Sequence, residues 1–102
     1  MQKLVRDLIP EIIKASGRMP KTHICSDEEY VHYLKLKLQE EVGEFLVDCA
    51  PEEMADILEV LEAICVIKQY SHKDVLAVKK MKKIRSGGFE RRICLEAIFD
   101  QR

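Results

Sequence analysis

Four carboxylates flank a break in the middle of this sequence at a spacing that suits metal binding. Glu41 and Glu44 lie three residues apart before Ala50-Pro51, and Glu53 and Asp56 repeat the spacing after it. Residues three apart project from nearly the same side of a helix. If the break folds two helices back on each other, the four side chains converge. Oxygen ligands of this kind suit Mg²⁺, so the pattern outlines a magnesium site.

Helical phase indicates which of these carboxylates face inward. At about 100° per residue, Glu41 lies at the edge of one apolar stripe and Glu53 lies inside the next, with Glu44 and Asp56 flanking them. A carboxylate buried without a partner is costly, so it protonates or binds a cation. Phase alone leaves a cation site and a solvated acidic face equally open. The acidic residues expected to point away into solvent are Glu40, Glu52, Glu59 and Glu62.

Hydrophobic spacing predicts the helices that must position this site. Residues 1–16 are expected to form an extended lead-in and a short helix, which Gly17 stops. Ser26 and Glu29 form a capping box, and the helix that they open should run to about Asp48. Pro51 then begins the next helix, and the short connection makes the two helices antiparallel neighbours.

The second half of the chain predicts further helix. The helix that begins at Pro51 should end near Tyr70, and Ser71 or His72 should cap a third long helix that ends at Ser86. Residues 89–99 are expected to be extended or to form a last helical turn. The fold class is therefore all-α, an antiparallel bundle of about four helices that dimerisation completes.

Composition limits the classes of function. The 102 residues suit one domain, 1–102, and 47% hydrophobic with 34% charged residues is typical of a soluble globular protein. No apolar run is long enough to span a membrane, and the first ten residues lack a secretory signal, so we expect a cytoplasmic protein. Residues 27–62 carry twelve acids and two bases, which argues against a broad nucleic-acid surface.

The four cysteines show neither zinc-site nor disulfide spacing. Cys25, Cys49, Cys65 and Cys94 are far apart, with no CxxC pair. Cys49 and Cys65 fall on or beside apolar faces. The sequence therefore favours small buried hydrophobic side chains over ligands.

The acidic pattern resembles a known signature. Glu40-Glu41-x-x-Glu44 followed by Glu53-x-x-Asp56 is similar to the EExxE…ExxD motif of the all-α, MazG-type nucleoside triphosphate pyrophosphohydrolases. That superfamily includes dimeric dUTPases and phosphoribosyl-ATP pyrophosphohydrolase. The segments KLVRDLIPEII, LKLKLQEEVGEFL and SGGFERRICL resemble a small house-cleaning branch of it. The likeness covers most of the chain.

The resemblance implies a helical homodimer or higher oligomer with Mg²⁺, or Mn²⁺ as a substitute. It implies that the metal ligands are Glu41, Glu44, Glu53 and Asp56, and that Glu40 and Glu41 act in catalysis. The implied reaction is hydrolysis of a nucleoside triphosphate, including damaged or non-standard ones, between the α- and β-phosphates. The products are a monophosphate and pyrophosphate.

The substrate contacts and the rival functions remain open. Phosphates need basic partners, and the candidates are Lys37, Lys83, Arg85, Lys3 and Arg6. Tyr30, Tyr33 and Phe89 could stack on a base, although a core or interface role is favoured for each. The first alternative function is phosphoribosyl-ATP hydrolysis. The second is a non-catalytic helical interaction module whose acidic and basic faces pair between subunits.

Overall fold

Four helices form the regular structure of this protein. The computed structural model describes residues 2–101, and within that range it contains no strand. The helices are α1 (Ile9–Ala15), α2 (Asp27–Asp48), α3 (Pro51–Ile67) and α4 (His72–Ser86). The predicted all-α class is therefore confirmed.

The short helix α1 begins and ends as its sequence dictates. Pro10 lies in its first turn, where the missing backbone N–H removes no helical hydrogen bond. Gly17 follows the C-cap with φ +87°, a left-handed conformation that glycine adopts without a steric penalty. Residues 2–8 form no helix or strand, so an irregular lead-in precedes α1.

The long helix α2 is capped at its start and stopped by a left-handed residue. The Ser26 hydroxyl accepts a hydrogen bond from the Glu29 backbone N–H at 3.2 Å, and the Ser26 backbone N–H donates to Glu29 Oε1 at 3.3 Å. This is the predicted capping box. Cys49 is the C-cap, with φ 52°. The expectation that Cys49 is buried is wrong, because the cap places it in the exposed turn before α3.

Helices α2 and α3 pack against each other. Because only Cys49 and Ala50 connect them, packing requires them to run antiparallel, as predicted. The buried side chains in the described range are Leu34 at 2% exposure, Val60 at 8% and one carboxylate, Glu41, at 5%. A small apolar seam therefore holds the helix pair together and has an acid within it.

The structure differs from the sequence prediction at the end of α3. The helix ends at Ile67 rather than near Tyr70. Lys68 is its C-cap, and Gln69 adopts a left-handed conformation with φ 60°. A left-handed residue cannot continue a right-handed helix, so the chain leaves α3 three residues early.

The residues from His72 onward form a second compact unit, and those up to Ser71 form the first. In the second unit, α4 has no buried residue, and residues 92–101 form neither helix nor strand. A turn closed by the Arg92 N–H and the Phe89 carbonyl oxygen at 3.1 Å follows the helix. The single domain, 1–102, and the complete bundle therefore remain predictions.

Among the described residues, no helix combines the length and the apolar character needed to cross a bilayer.

Replacing Leu34 by Ala should destabilise the first unit. The substitution removes the most deeply buried side chain of the α2–α3 seam, and such changes cost about 2–5 kcal/mol in the free energy of unfolding. Urea unfolding followed by circular dichroism measures the loss. Leu95→Ala, on the exposed C-terminal segment, is the matched control and should stay within about 0.5 kcal/mol. Equal effects for the two variants would contradict this seam.

Candidate active site

Glu41 is the buried charge of the α2–α3 seam. Lys37 lies one turn earlier on α2, and its Nζ is 3.4 Å from Glu41 Oε1. The other oxygen, Oε2, is buried and has no hydrogen-bond partner within residues 2–101. Lys37 therefore pairs with only one oxygen of the carboxylate, and the other oxygen is a buried hydrogen-bond acceptor without a partner in the described range.

The surroundings of Glu41 oppose its ionisation. Burial raises the pKa of its carboxyl above the ordinary value, and the negative charges of Glu44 and Asp56 raise it further. The hydrogen bond and positive charge of Lys37 act in the opposite direction without cancelling this rise. The site is therefore short of positive charge, and a divalent cation would relieve the repulsion between the carboxylates.

The first turns of α3 add two more of the predicted ligands. Glu53 is half-buried, as its helical phase predicts, and its Oε2 is buried without a hydrogen-bond partner in the described range. Asp56 is also half-buried, and its Oδ1 accepts a hydrogen bond of 2.7 Å from Arg6 Nη2. Unlike these two, Glu44 on α2 is exposed.

The four predicted ligands are not gathered around one point. All four belong to the described part of the chain, and no three of them bring oxygens within 4.8 Å of one another. Holding one ion in common would therefore require their side chains to rotate. The two orphaned buried oxygens, on Glu41 and Glu53, are the feature that fits a cation with oxygen ligands.

Glu40 lies closer to this network than its helical phase predicts. Lys37 Nζ is 3.2 Å from Glu40 Oε2, and Lys3 Nζ is 3.8 Å from Glu40 Oε1. Since Lys37 also contacts Glu41, one ammonium group bridges the two consecutive carboxylates. The expectation that Glu40 points away into solvent is wrong, because the lead-in segment and Lys37 cover it to the point of half-burial.

An open cleft of about 570 Å³ runs beside the buried carboxylate. Its volume is in the range of small-molecule sites. The polar residues that line it are Arg6, Asp7, Lys37, Glu41, Asp56 and Glu59, and most of the remaining lining residues are apolar. The cleft therefore combines acids, bases and apolar surface.

Sequence reasoning left Glu59 out of the site. Its side chain is exposed, as expected, but it also belongs to the cleft. Glu59 lines the cleft, and its negative charge acts on Arg6. It follows Asp56 by three residues, so the spacing that placed Glu53 and Asp56 on one side of α3 extends to it. Extending the acidic pattern by one step would have found it.

Arg6 lies beside the acidic residues that line the cleft. Its hydrogen bond to Asp56 raises the pKa of the guanidinium further above its ordinary value, and the charges of Asp56, Glu59 and Glu41 add to this effect. Burial has the opposite effect but does not outweigh them. Arg6 thus remains a cation in the lining of the cleft, near the carboxylates of Asp56, Glu59 and Glu41.

The other predicted substrate contacts lie in different surroundings. Tyr30 lines the cleft, whereas the Tyr33 hydroxyl donates a hydrogen bond of 2.9 Å to Gln2 Oε1. Phe89 is 96% exposed. Lys83 and Arg85 belong to the second unit, where Lys83 Nζ is 3.5 Å from Glu90 Oε1.

Replacing Glu41 by Gln should make stability less dependent on pH. Because folding raises the carboxyl pKa above 4.5, the folded protein binds more protons than the unfolded chain as pH rises past that value. Glu41 therefore lowers the free energy of unfolding of the wild type as the pH rises from 4.5 through the pKa of the folded state. Glu41→Gln should gain stability relative to the wild type by at most about 1.4 kcal/mol per pH unit.

Urea unfolding in EDTA, from about pH 4 to about pH 7, measures this difference. Glu62→Gln, on the exposed side of α3, is the matched control for the loss of one acidic charge. If the gain of Glu41→Gln over the wild type did not grow with pH, the burial penalty on Glu41 would be refuted.

Comparison with known proteins gives one informative match and no family. No family model matches the chain, and no solved structure matches it significantly. An uncharacterised protein of Mycolicibacterium smegmatis (strain ATCC 700084 / mc(2)155) is 57% identical over 44 residues. The match covers 43% of this chain and 45% of that protein's length, so the two are similar over less than half of each.

Proposed function

We propose that this protein is a Mg²⁺-dependent nucleoside triphosphate pyrophosphohydrolase that releases a monophosphate and pyrophosphate. The observation that carries the proposal is the pair of buried carboxylate oxygens, Glu41 Oε2 and Glu53 Oε2, that have no partner in the described chain. Glu41 lines an open cleft together with Asp56, Arg6 and Lys37. Acids for a cation and bases for phosphates thus meet at one cleft.

The residues proposed to hold Mg²⁺, or Mn²⁺ in its place, are Glu41, Glu44, Glu53 and Asp56. A bound divalent cation supplies Lewis acidity to a phosphoryl oxygen and lowers the pKa of a bound water. The repulsion that Glu44 and Asp56 exert on Glu41 supports this assignment, since Lys37 and Arg6 together do not balance the three carboxylates. The exposed position of Glu44 leaves its side chain free to reorient.

Arg6 and Lys37 are proposed to bind the triphosphate. Both line the cleft, and both already make ion pairs with carboxylates, at 2.7 Å to Asp56 and 3.4 Å to Glu41. A guanidinium can contact two phosphate oxygens at once, whereas an ammonium acts as a point charge. Lys3, beside Glu40, is a third candidate.

A carboxylate must accept the proton of the attacking water. The water oxygen forms the new bond to phosphorus as the bridging bond between the α- and β-phosphates breaks, and pyrophosphate leaves. The two proposed catalytic residues are Glu40 and Glu41, and Glu41, which is also a proposed metal ligand, is the one that lines the cleft. Glu40 pairs with Lys3 and Lys37 and would position Lys37.

Replacing Glu53 by Gln should abolish hydrolysis. The change keeps the size of the side chain and removes the charge that a divalent cation requires, so turnover should fall by at least about 100-fold. Pyrophosphate release from a panel of standard and damaged nucleoside triphosphates and phosphoribosyl-ATP, with Mg²⁺ or Mn²⁺, measures it. Glu52→Gln, one residue earlier and exposed, is the matched control and should retain activity.

Three outcomes would contradict the assignment. Activity that survives EDTA or the Glu53→Gln change would exclude the carboxylate cluster as the metal site. Release of orthophosphate instead of pyrophosphate would exclude cleavage between the α- and β-phosphates. Inactivity on every substrate of the panel would favour a non-catalytic interaction module.

We also propose that a second copy of the chain completes the helical bundle. Within the first unit, α2 and α3 carry large apolar side chains that are exposed in the single chain, among them Leu46, Val47 and Leu58. An exposed apolar surface of this kind marks an interface.

Replacing Leu46 by Glu should disrupt the dimer without unfolding the helix pair. Leu46 is 72% exposed in the single chain, so a charge there is tolerated by a monomer but costly at an apolar interface. Light scattering coupled to gel filtration should give the mass of two copies for the wild type and of one for Leu46→Glu. Met19→Glu, outside α2 and α3, is the control and should remain a dimer. A monomeric wild type would refute the proposal.

A further inference from the structure

A second group of potential metal ligands lies where α2 begins. His23, Cys25 and Glu29 each offer one ligand atom, and these atoms all lie within 4.8 Å of one another. None of the three lines the cleft beside Glu41. His23 and Cys25 belong to the irregular segment before α2, and Glu29 belongs to the first turn of the helix.

The two oxygens of Glu29 have different partners. Oε1 accepts the capping hydrogen bond from the Ser26 backbone N–H at 3.3 Å, so that oxygen is committed to the helix start. Oε2 lies 2.8 Å from His23 Nε2 and is the oxygen that faces the cluster. A metal can therefore bind Oε2 while the capping box stays intact, and the cap fixes the carboxylate in position.

The chemistry of the three ligands selects the metal. Thiolate, imidazole and carboxylate together suit Zn²⁺, whereas Mg²⁺ requires oxygen ligands. In tetrahedral coordination, neighbouring N, O and S ligand atoms lie about 3.2–3.6 Å apart. His23 Nε2 and Glu29 Oε2, which are 2.8 Å apart, must separate slightly to share an ion. The ligand atom of Cys25 lies within 4.8 Å of the other two, so it needs to move by no more than roughly 1 Å. The half-exposed side chains and the irregular segment allow this movement, and solvent supplies a fourth ligand as water.

We propose that His23, Cys25 and Glu29 form a zinc site that fastens the segment before α2 to the first turn of that helix. On binding, the Cys25 thiol loses its proton to solvent, and the imidazole coordinates through Nε2 while keeping a proton on Nδ1. The ion replaces the hydrogen between His23 Nε2 and Glu29 Oε2. The site is independent of the proposed hydrolysis, since it shares no ligand with the carboxylate cluster.

The sequence signal for this site is H-x-C-x-x-x-E, which spans the Ser26 N-cap. Searching for paired cysteines misses it, because only one cysteine takes part. The zinc-site spacing becomes visible only once the capping box is known to place Glu29 beside the residues that precede Ser26.

Cobalt titration tests the proposal on the full chain in saturating Mg²⁺, which occupies oxygen-ligand sites. Co²⁺ should produce a near-ultraviolet thiolate-to-metal charge-transfer band, and Zn²⁺ should abolish it by displacement. Cys25→Ser should eliminate the band, and His23→Ala and Glu29→Gln should each weaken binding by at least about 10-fold. Glu29→Gln retains an acceptor oxygen for the cap, so it separates metal binding from helix capping.

Cys94→Ser, which removes an exposed cysteine of the second unit, is the matched control and should keep the band. Circular dichroism confirms that each variant is folded. Zn²⁺ should also raise the melting temperature of the wild type and leave that of Cys25→Ser unchanged. Absence of a charge-transfer band, or its persistence in Cys25→Ser, would overturn the proposal.

Discussion

The fold of the first unit depends on accommodating one charged group, the Glu41 carboxylate, between α2 and α3. Leu34 and Val60 are the buried apolar side chains of this seam, and the exposed fraction of Glu41 lies between theirs. Such a group is costly to bury, and Lys37 compensates only one of its oxygens. A protein under selection for stability alone would place an apolar residue there. The buried carboxylate therefore lowers the stability of the seam in which it lies.

The sequence was sufficient to predict most of the helices because their signals are local. The Ser26–Glu29 capping box, Pro51 and Gly17 each act within one turn of the boundary that they define. The end of α3 was less predictable, since Gln69 adopts a left-handed conformation that its residue type does not demand. The burial of Cys49 was also wrongly predicted, because apolar phase does not reveal that a residue caps its helix.

The candidate site was predictable in part. Helical phase was sufficient to place Glu41 and Glu53 toward the partner helix, because three-residue spacing and one apolar stripe define a face. It could not show that Arg6, fifty residues from Asp56 in sequence, pairs with that carboxylate. Nor could it show that Lys37 bridges Glu40 and Glu41, since long side chains reach beyond the face on which their backbone lies.

Acidic and buried apolar residues lie on the same face of α2 and of α3, so insertions and deletions within these helices would separate them. Glu41 follows the core residue Leu34 by seven residues, about two turns, and Val60 follows Asp56 by four, about one turn. One residue added or lost between either pair would rotate the acid by about 100° relative to the seam. Residues 18–22, the irregular residues that precede the proposed zinc ligands, are not constrained in this way. Length variation among homologous chains should therefore be concentrated in such segments and be excluded from the centres of α2 and α3.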